Sequence, residues 1–166
     1  MTARRLPSFR LILLAAVGAL LAACQSVPGP GGFTAEQIAA LQSQGFVETE
    51  IGWELTLTDR LLFDTNESTL KAEEIDRLAK VARSLGAVGI STARIEGHTD
   101  SVGSDAYNLT LSQARAEAVA APLQTNGMRF TPDQIAGRGE AVPLSSNDTP
   151  EGRQDNRRVV IIVTAE

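Results

Sequence analysis

With 166 residues, 43% of them apolar and 21% charged, the chain is long enough for one folded core and too apolar to stay disordered. A formal charge of −5 excludes nucleic-acid binding through bulk electrostatics, and a lone cysteine excludes an intramolecular disulfide. One histidine and no HxxE or HxH arrangement leave no zinc cluster, and with no GxSxG elbow a lone Ser/Asp combination is the one route left to a hydrolase; no enzyme, metal or cofactor is expected.

Arg4, Arg5 and Arg10 precede an apolar run over residues 11–20, and Leu21, Ala22 and Ala23 close it ahead of Cys24. That order reads as an export leader over residues 1–23 ending in a lipobox, with Cys24 as the acylated residue. A plain leader with an incidental cysteine is the alternative. The apolar run is too short for a membrane span and is followed at once by polar residues, proline and glycine. Several acyl chains on one cysteine anchor a protein stably where a single chain is marginal. Losing the leader removes three arginines, so the mature chain is more acidic still.

Residues 25–32, QSVPGPGG, have linker composition. Residues 34–44 carry a weak helical pattern with Ile38 and Leu41 on one side. Residues 24–50 are accordingly set apart as lipidated cysteine, linker and short helix, and residues 51–166 as the folded domain. Trp53, Leu55 and Leu57 alternate with Glu54, Thr56 and Thr58, the period of a half-buried strand, which Leu61 to Phe63 are expected to resume. Leu70, Ile75, Leu78, Ala82 and Leu85 form the apolar face of a helix starting between Thr69 and Lys71, with Gly86 in the stop position.

Residues 93–99 read as the next strand. A second helix is expected from Tyr107 or Asn108 to Asn126, kinked or cut short at Pro122. Residues 132–135 read as a helical turn, 135–139 as a short strand and 141–156 as a polar loop. The last run, residues 157–164, contains five consecutive β-branched residues, Val159 to Val163, a central strand. Strands and helices in this order predict an α/β (α+β sandwich) fold, one mixed four-stranded sheet with helices packed on one face.

The segment GHTDSVGSDAYNLTLSQARAEAV, residues 97–119, carries the chemistry. At about 3.6 residues per turn, Asn108, Ser112, Arg115 and Val119 fall on nearly one stripe, bordering an apolar face of Leu109, Ala116, Val119, Ala120 and Leu123. The Arg115 head then emerges beside the core, where a guanidinium requires an anion. Asp100, at the end of the preceding strand, displays an acid near it. A salt bridge between Asp100 and Arg115 is the competing structural reading, although a partly buried ion pair adds little net stability.

This segment contains NxxLSxxRAxxV, complete from Asn108 to Val119 and preceded by GHTD, with FDTN at residues 63–66 and NRRV at residues 156–159. Four motifs, standing along the chain in the family's order, resemble the OmpA-like C-terminal domain family, which binds peptidoglycan, over residues 53–165. The resemblance implies a domain held at the outer membrane through its lipid anchor, facing the periplasm, a sorting that Gln25 after Cys24 favours. It implies meso-diaminopimelate of the stem peptide as ligand, with Asp100 accepting from the ammonium and Arg115 forking onto the carboxylate.

Asp64, Asn66, Thr99 and Asn108 are expected to add hydrogen bonds to the stem peptide, although Asp64 and Asn66 are also ordinary turn residues. Phe63 is as readily core as pocket wall. Asn156 and Arg157 are expected near the pocket, with Arg157 or Arg158 either reaching a second carboxylate or pairing with Asp155 and Glu151. His98 reads as a strand-end histidine bonded to a backbone group rather than a catalytic one. The function expected is non-covalent tethering of outer membrane to wall. The alternative is an envelope protein whose main role is to bind a periplasmic or outer-membrane protein.

Overall fold

The computed structural model describes residues 32–63 and 67–165. The leader, Cys24, the linker before Gly32, and Asp64 and Asn66 lie outside the described residues.

Helix α1, Ala35–Ser43, starts on a reciprocal cap in which Thr34 Oγ1 accepts from Gln37 N and Gln37 Oε1 accepts from Thr34 N. The strands are β1 (Val47–Thr49), β2 (Gly52–Thr58), β3 (Arg94–His98), β4 (Ile135–Gly137) and β5 (Arg158–Val163). They lie side by side as β1-β2-β5-β3-β4, antiparallel except for the β3–β4 pair. The sheet is mixed as expected, with five strands rather than four. The fifth is β1, whose residues all lie exposed at the sheet edge, so no alternating pattern announced it. Residues 33–50 also supply Phe33, Leu41 and Phe46 to the core.

The register places Trp53, Leu55, Leu57, Ile95, Val159, Ile161 and Val163 on one side of the sheet. Against that side pack α3 (Ala72–Ala87) and α4 (Asp105–Thr125), through Leu78, Val81, Ala82 and Leu85 of the first and Ala116, Val119, Ala120 and Leu123 of the second. Strand β5 is central and buried throughout, as its β-branched run predicts.

Several boundaries differ from the sequence reading. Leu61 does not resume a strand; Asp59–Leu62 form one helical turn, α2, and Phe63 bridges to Leu70. Gly86 sits inside α3, and the stop falls to Gly89, whose φ of 80° suits glycine and lets Ile90 N bond back to Leu85 O. Ile75 is 44% and Leu109 54% exposed, so neither belongs to the apolar face assigned to it.

Helix α4 begins at Asp105, capped by Ser104, and runs through Pro122 to Thr125. Pro122 lies in the last turn, where the interrupted ladder has little left to support, and Asn126 Nδ2 donates to its carbonyl at 2.8 Å. The stretch 141–156 is not all loop: Thr149 caps α5, Pro150–Asn156, with proline at the first helical position.

Two glycines seat α4. A Cβ on Gly97 would lie 2.1 Å from Ser112 O, and one on Gly137 would lie 2.5 Å from Gln113 N. Lacking both, β3 and β4 allow the helix backbone to rest directly on the sheet, which brings the Asn108–Ser112–Arg115 stripe to the C-terminal end of β3.

Candidate functional site

The end of β3 is fastened before any charge is placed. Thr99 N donates to Gly139 O at 2.9 Å, and Ser112 Oγ accepts from Gly139 N at 2.9 Å. Asn108 Nδ2 donates to Asp100 O at 3.2 Å and to Glu140 Oε2 at 2.6 Å, tying helix α4 to both loops. Asp100 itself folds into a turn in which Oδ1 accepts from Val102 N at 3.1 Å. Asp100 and Asn108 are buried, and their positions are set by hydrogen bonds from neighbouring loops.

Arg115 rises from α4 into the same cleft with its side chain only 4% exposed. Nε donates to Glu67 O at 3.1 Å, and the guanidinium carbon stands 5.2 Å above the Phe63 ring. Nη2 approaches Asp59 Oδ1 at 2.9 Å. That approach is a charge contact rather than an aligned hydrogen bond, and Oδ1 has no hydrogen-bond partner among the described residues. Burial pulls the Arg115 pKa below the usual arginine value against the opposing field of Asp59, and the group stays charged at neutral pH. Burial likewise raises the Asp59 carboxyl, outweighing the nearby Arg115 and Arg157.

Asp100 and Arg115 do not pair with each other. Asp100 Oδ2 accepts from Arg157 Nη1 at 2.5 Å, and Arg157 Nε lies 3.5 Å from Asp59 Oδ2. The result is an alternating row, Arg115, Asp59, Arg157, Asp100. Arg157 also donates through Nη2 to Gln154 Oε1 at 2.6 Å, so it turns toward the cleft rather than to Asp155 or Glu151.

The cleft has a volume of about 590 Å³, and Asp100, Arg115, Asn108, Thr99 and Arg157 all line it. Phe63 is both core and wall. Thr99 Oγ1 is buried with no hydrogen-bond partner among the described residues, a hydroxyl available to a bound group. Asn156 is not brought to the cleft. Its Oδ1 accepts from Leu144 N and Ser145 N, and its Nδ2 donates to Ser145 O and Asn147 Oδ1, so the amide is spent on the loop before α5. Asn147 Oδ1 in turn accepts from Ser101 N at 3.3 Å, making Asn156 an indirect support of Asp100.

His98 and Arg158 face the opposite side of the sheet. His98 Nε2 lies 3.8 Å from Glu96 Oε2, and Nδ1 has no partner among the described residues, so the expected backbone bond is not formed. Sequence reading missed Asp59, Tyr107, Arg153 and Gln154 as cleft residues. The signal for Asp59 was an acid closing a period-two strand, separated by one residue from the apolar pair Leu61–Leu62.

Residues 62–157, which hold this cleft apart from Asp59 and Arg60, match the model of the OmpA family. The chain belongs to the OmpA family. The outer-membrane lipoprotein YfiB of Pseudomonas aeruginosa is 44% identical over 168 residues, covering all of both chains. The peptidoglycan-associated lipoprotein of Burkholderia pseudomallei superposes with a TM-score of 0.53 at 26% identity, over 61% of this chain and 86% of that one. The cell wall anchor of the T6SS from Pseudomonas aeruginosa superposes at 0.58 and 28% identity, over 79% and 95%. This OmpA-family chain is an outer-membrane lipoprotein. No helix among its described residues is long and apolar enough to cross a membrane.

Proposed function

We propose that the domain binds peptidoglycan non-covalently and without catalysis, tethering the outer membrane to the wall through Cys24 on one side and the cleft on the other. The ligand is the side-chain end of a meso-diaminopimelate stem residue, an ammonium and a carboxylate on one carbon. The carrying observation is that a buried acid and a buried base, Asp100 and Arg115, line one cleft without satisfying each other. Asp100 receives the ammonium, and Arg115 receives the carboxylate. Thr99 Oγ1 and the Asn108 amide lie beside them for the peptide, and further hydrogen bonds to the peptide are assigned to Asp64 and Asn66. Bulk charge does not help, since an acidic protein meets an anionic polymer, so recognition rests on the cleft. Affinity for one stem need be only modest, because the wall presents a dense lattice to many anchored copies.

Sedimentation with purified sacculi tests this reading. The full chain in detergent is expected to co-sediment, Asp100→Asn to stay in the supernatant, and Arg115→Lys, which keeps the charge and loses the fork, to be weakened. Co-sedimentation of Asp100→Asn at the wild-type level, with wild-type melting, overturns the assignment.

A protein partner is the second reading, favoured by edge strand β1 and the hairpin that follows it, where Val47 and Ile51 are exposed. Loss of an envelope partner from a Val47→Asp chain that still sediments with sacculi would separate the two roles.

A further inference from the structure

Within the cleft the two groups assigned to the zwitterion each face an opposite charge supplied by the protein itself. Asp59 presents a carboxylate to Arg115 at 2.9 Å, and Arg157 presents a cation to Asp100. Asp59 and Arg157 are themselves 3.5 Å apart. The four interlocked groups sum to zero charge, two arginines against two aspartates.

We propose that Asp59 and Arg157 are a charge-matched pair that exchanges with a net-neutral ligand end at Arg115 and Asp100, and that losing either member alone shifts which ligand end the cleft selects. This rests on the zwitterion reading of Asp100 and Arg115 above. When such an end enters, its carboxylate replaces Asp59 on Arg115 and its ammonium replaces Arg157 on Asp100. The displaced pair keeps its own contact, so neither charge is left alone in a partly buried site. An end bearing only an ammonium adds a positive charge to the row, and one bearing only a carboxylate adds a negative charge. Either leaves an excess that water cannot reach well enough to screen.

The geometry supports exchange rather than permanent structure. Asp59 Oδ1 sits against Arg115 without an aligned hydrogen bond, so the contact given up is not a directed one. Arg157 is the most exposed member, with a side chain 29% accessible, and Gln154 already holds its other nitrogen, giving it a place to swing. Asp59 opens a four-residue helical turn that follows β2, whereas Arg115 and Asp100 are fixed by α4 and the fastened end of β3.

Three stem tripeptides that differ only at the third side chain test this by calorimetry on the full chain in detergent: diaminopimelate, lysine, and diaminopimelate acetylated on the side-chain nitrogen. Wild type is expected to prefer the first over each of the others by about tenfold, the equivalent of one uncompensated partly buried charge. Arg157→Gln makes the row net negative, and its preference for diaminopimelate over lysine should collapse. Asp59→Asn makes it net positive, and its discrimination against the acetylated peptide should collapse. The double variant Asp59→Asn/Arg157→Gln is neutral again and should recover both wild-type ratios, which a merely structural role for these residues would not produce. Ratios that stay fixed across all three variants, each melting cooperatively, overturn the inference alone. A wild-type chain that binds none of the three peptides overturns the diaminopimelate reading and this inference with it.

Discussion

The cleft and the far side of the sheet are built from the same charged residue types, yet their acids respond in opposite directions. On the far side Arg94, Glu96 and His98 of β3 stand in register with Ile162, Val160 and Arg158 of β5. Arg94 and Arg138 converge on Glu96 Oε1 at 3.0 and 2.7 Å with side chains 41% and 44% exposed. Burial works to raise the Glu96 carboxyl, but the bond from Arg138 and the charges of both arginines bring it below its usual value. In the cleft burial prevails and Asp59 is raised. Glu96 has flexible cations that close on it, whereas Asp59 faces arginines already committed to Glu67 O, Gln154 and Asp100. On the far side the acid is held by half-exposed cations. The cleft is held together while retaining an acid whose partners can be taken from it.

The largest effect expected from this contrast is on folding. Arg115→Met removes the cation against which Asp59 is buried and should cost about 3–5 kcal/mol, as breaking one side of a buried pair does. Chemical denaturation of the single variant and of Asp59→Asn/Arg115→Met checks it. The double variant should recover part of the loss, because an amide in place of the carboxylate no longer needs the missing charge. Equal stability of Arg115→Met and wild type would mean that the cleft is as forgiving as the far side.

Next in size is a pH effect that belongs to the far side. Burial is the largest cause that lowers the His98 pKa to about 4, with Arg158 adding to it against the pull of Glu96. The folded chain therefore holds this ring neutral where the unfolded chain protonates it. Its contribution is present above the unfolded value of 6.5 and is lost as pH falls toward 4. Glu96, lowered, acts in the same direction at more acidic pH, and Asp59, raised, acts against it. Thermal unfolding should show stability falling by about 2 kcal/mol between pH 6.5 and 4 from His98, after discounting for solvent. A His98→Gln chain should lack that part of the slope. An unchanged slope would remove His98 as its source.

The extent to which this contrast was legible in the sequence follows from how local each signal is. Asn108, Ser112 and Arg115 were legible because one helix carries all three, and a helix imposes its period on any sequence it accepts. Asp100 was legible from its place at a strand end, and β5 from its unbroken β-branched run. The pairing of the charges was not legible. Asp100 and Arg157 are separated by 57 positions, and nothing local says which of four nearby cations reaches which acid. Ile75 and Leu109 satisfied the helical period yet face outward, since periodicity identifies a face but not how far along the helix its neighbours extend. Helix α5 was missed although Thr149 and Pro150 form a start signal, because the polar residues that follow supply no apolar stripe to confirm it.

The smallest effect expected marks the other end of the contrast. Arg138→Ala removes a 2.7 Å contact to Glu96, a shorter ion-pair distance than the 2.9 Å of Arg115 on Asp59. Distance alone would therefore rank it first. Exposure reverses that order: the Arg138 side chain is 44% accessible, Glu96 keeps Arg94, and water replaces what is lost. The cost should be no more than about 1 kcal/mol and should shrink further in salt. Sedimentation with sacculi should be unchanged, since Arg138 is on the far side from the cleft. A loss on the scale of Arg115→Met would show that the far-side ladder is load-sharing structure, and that burial of the cleft charges is not what sets them apart.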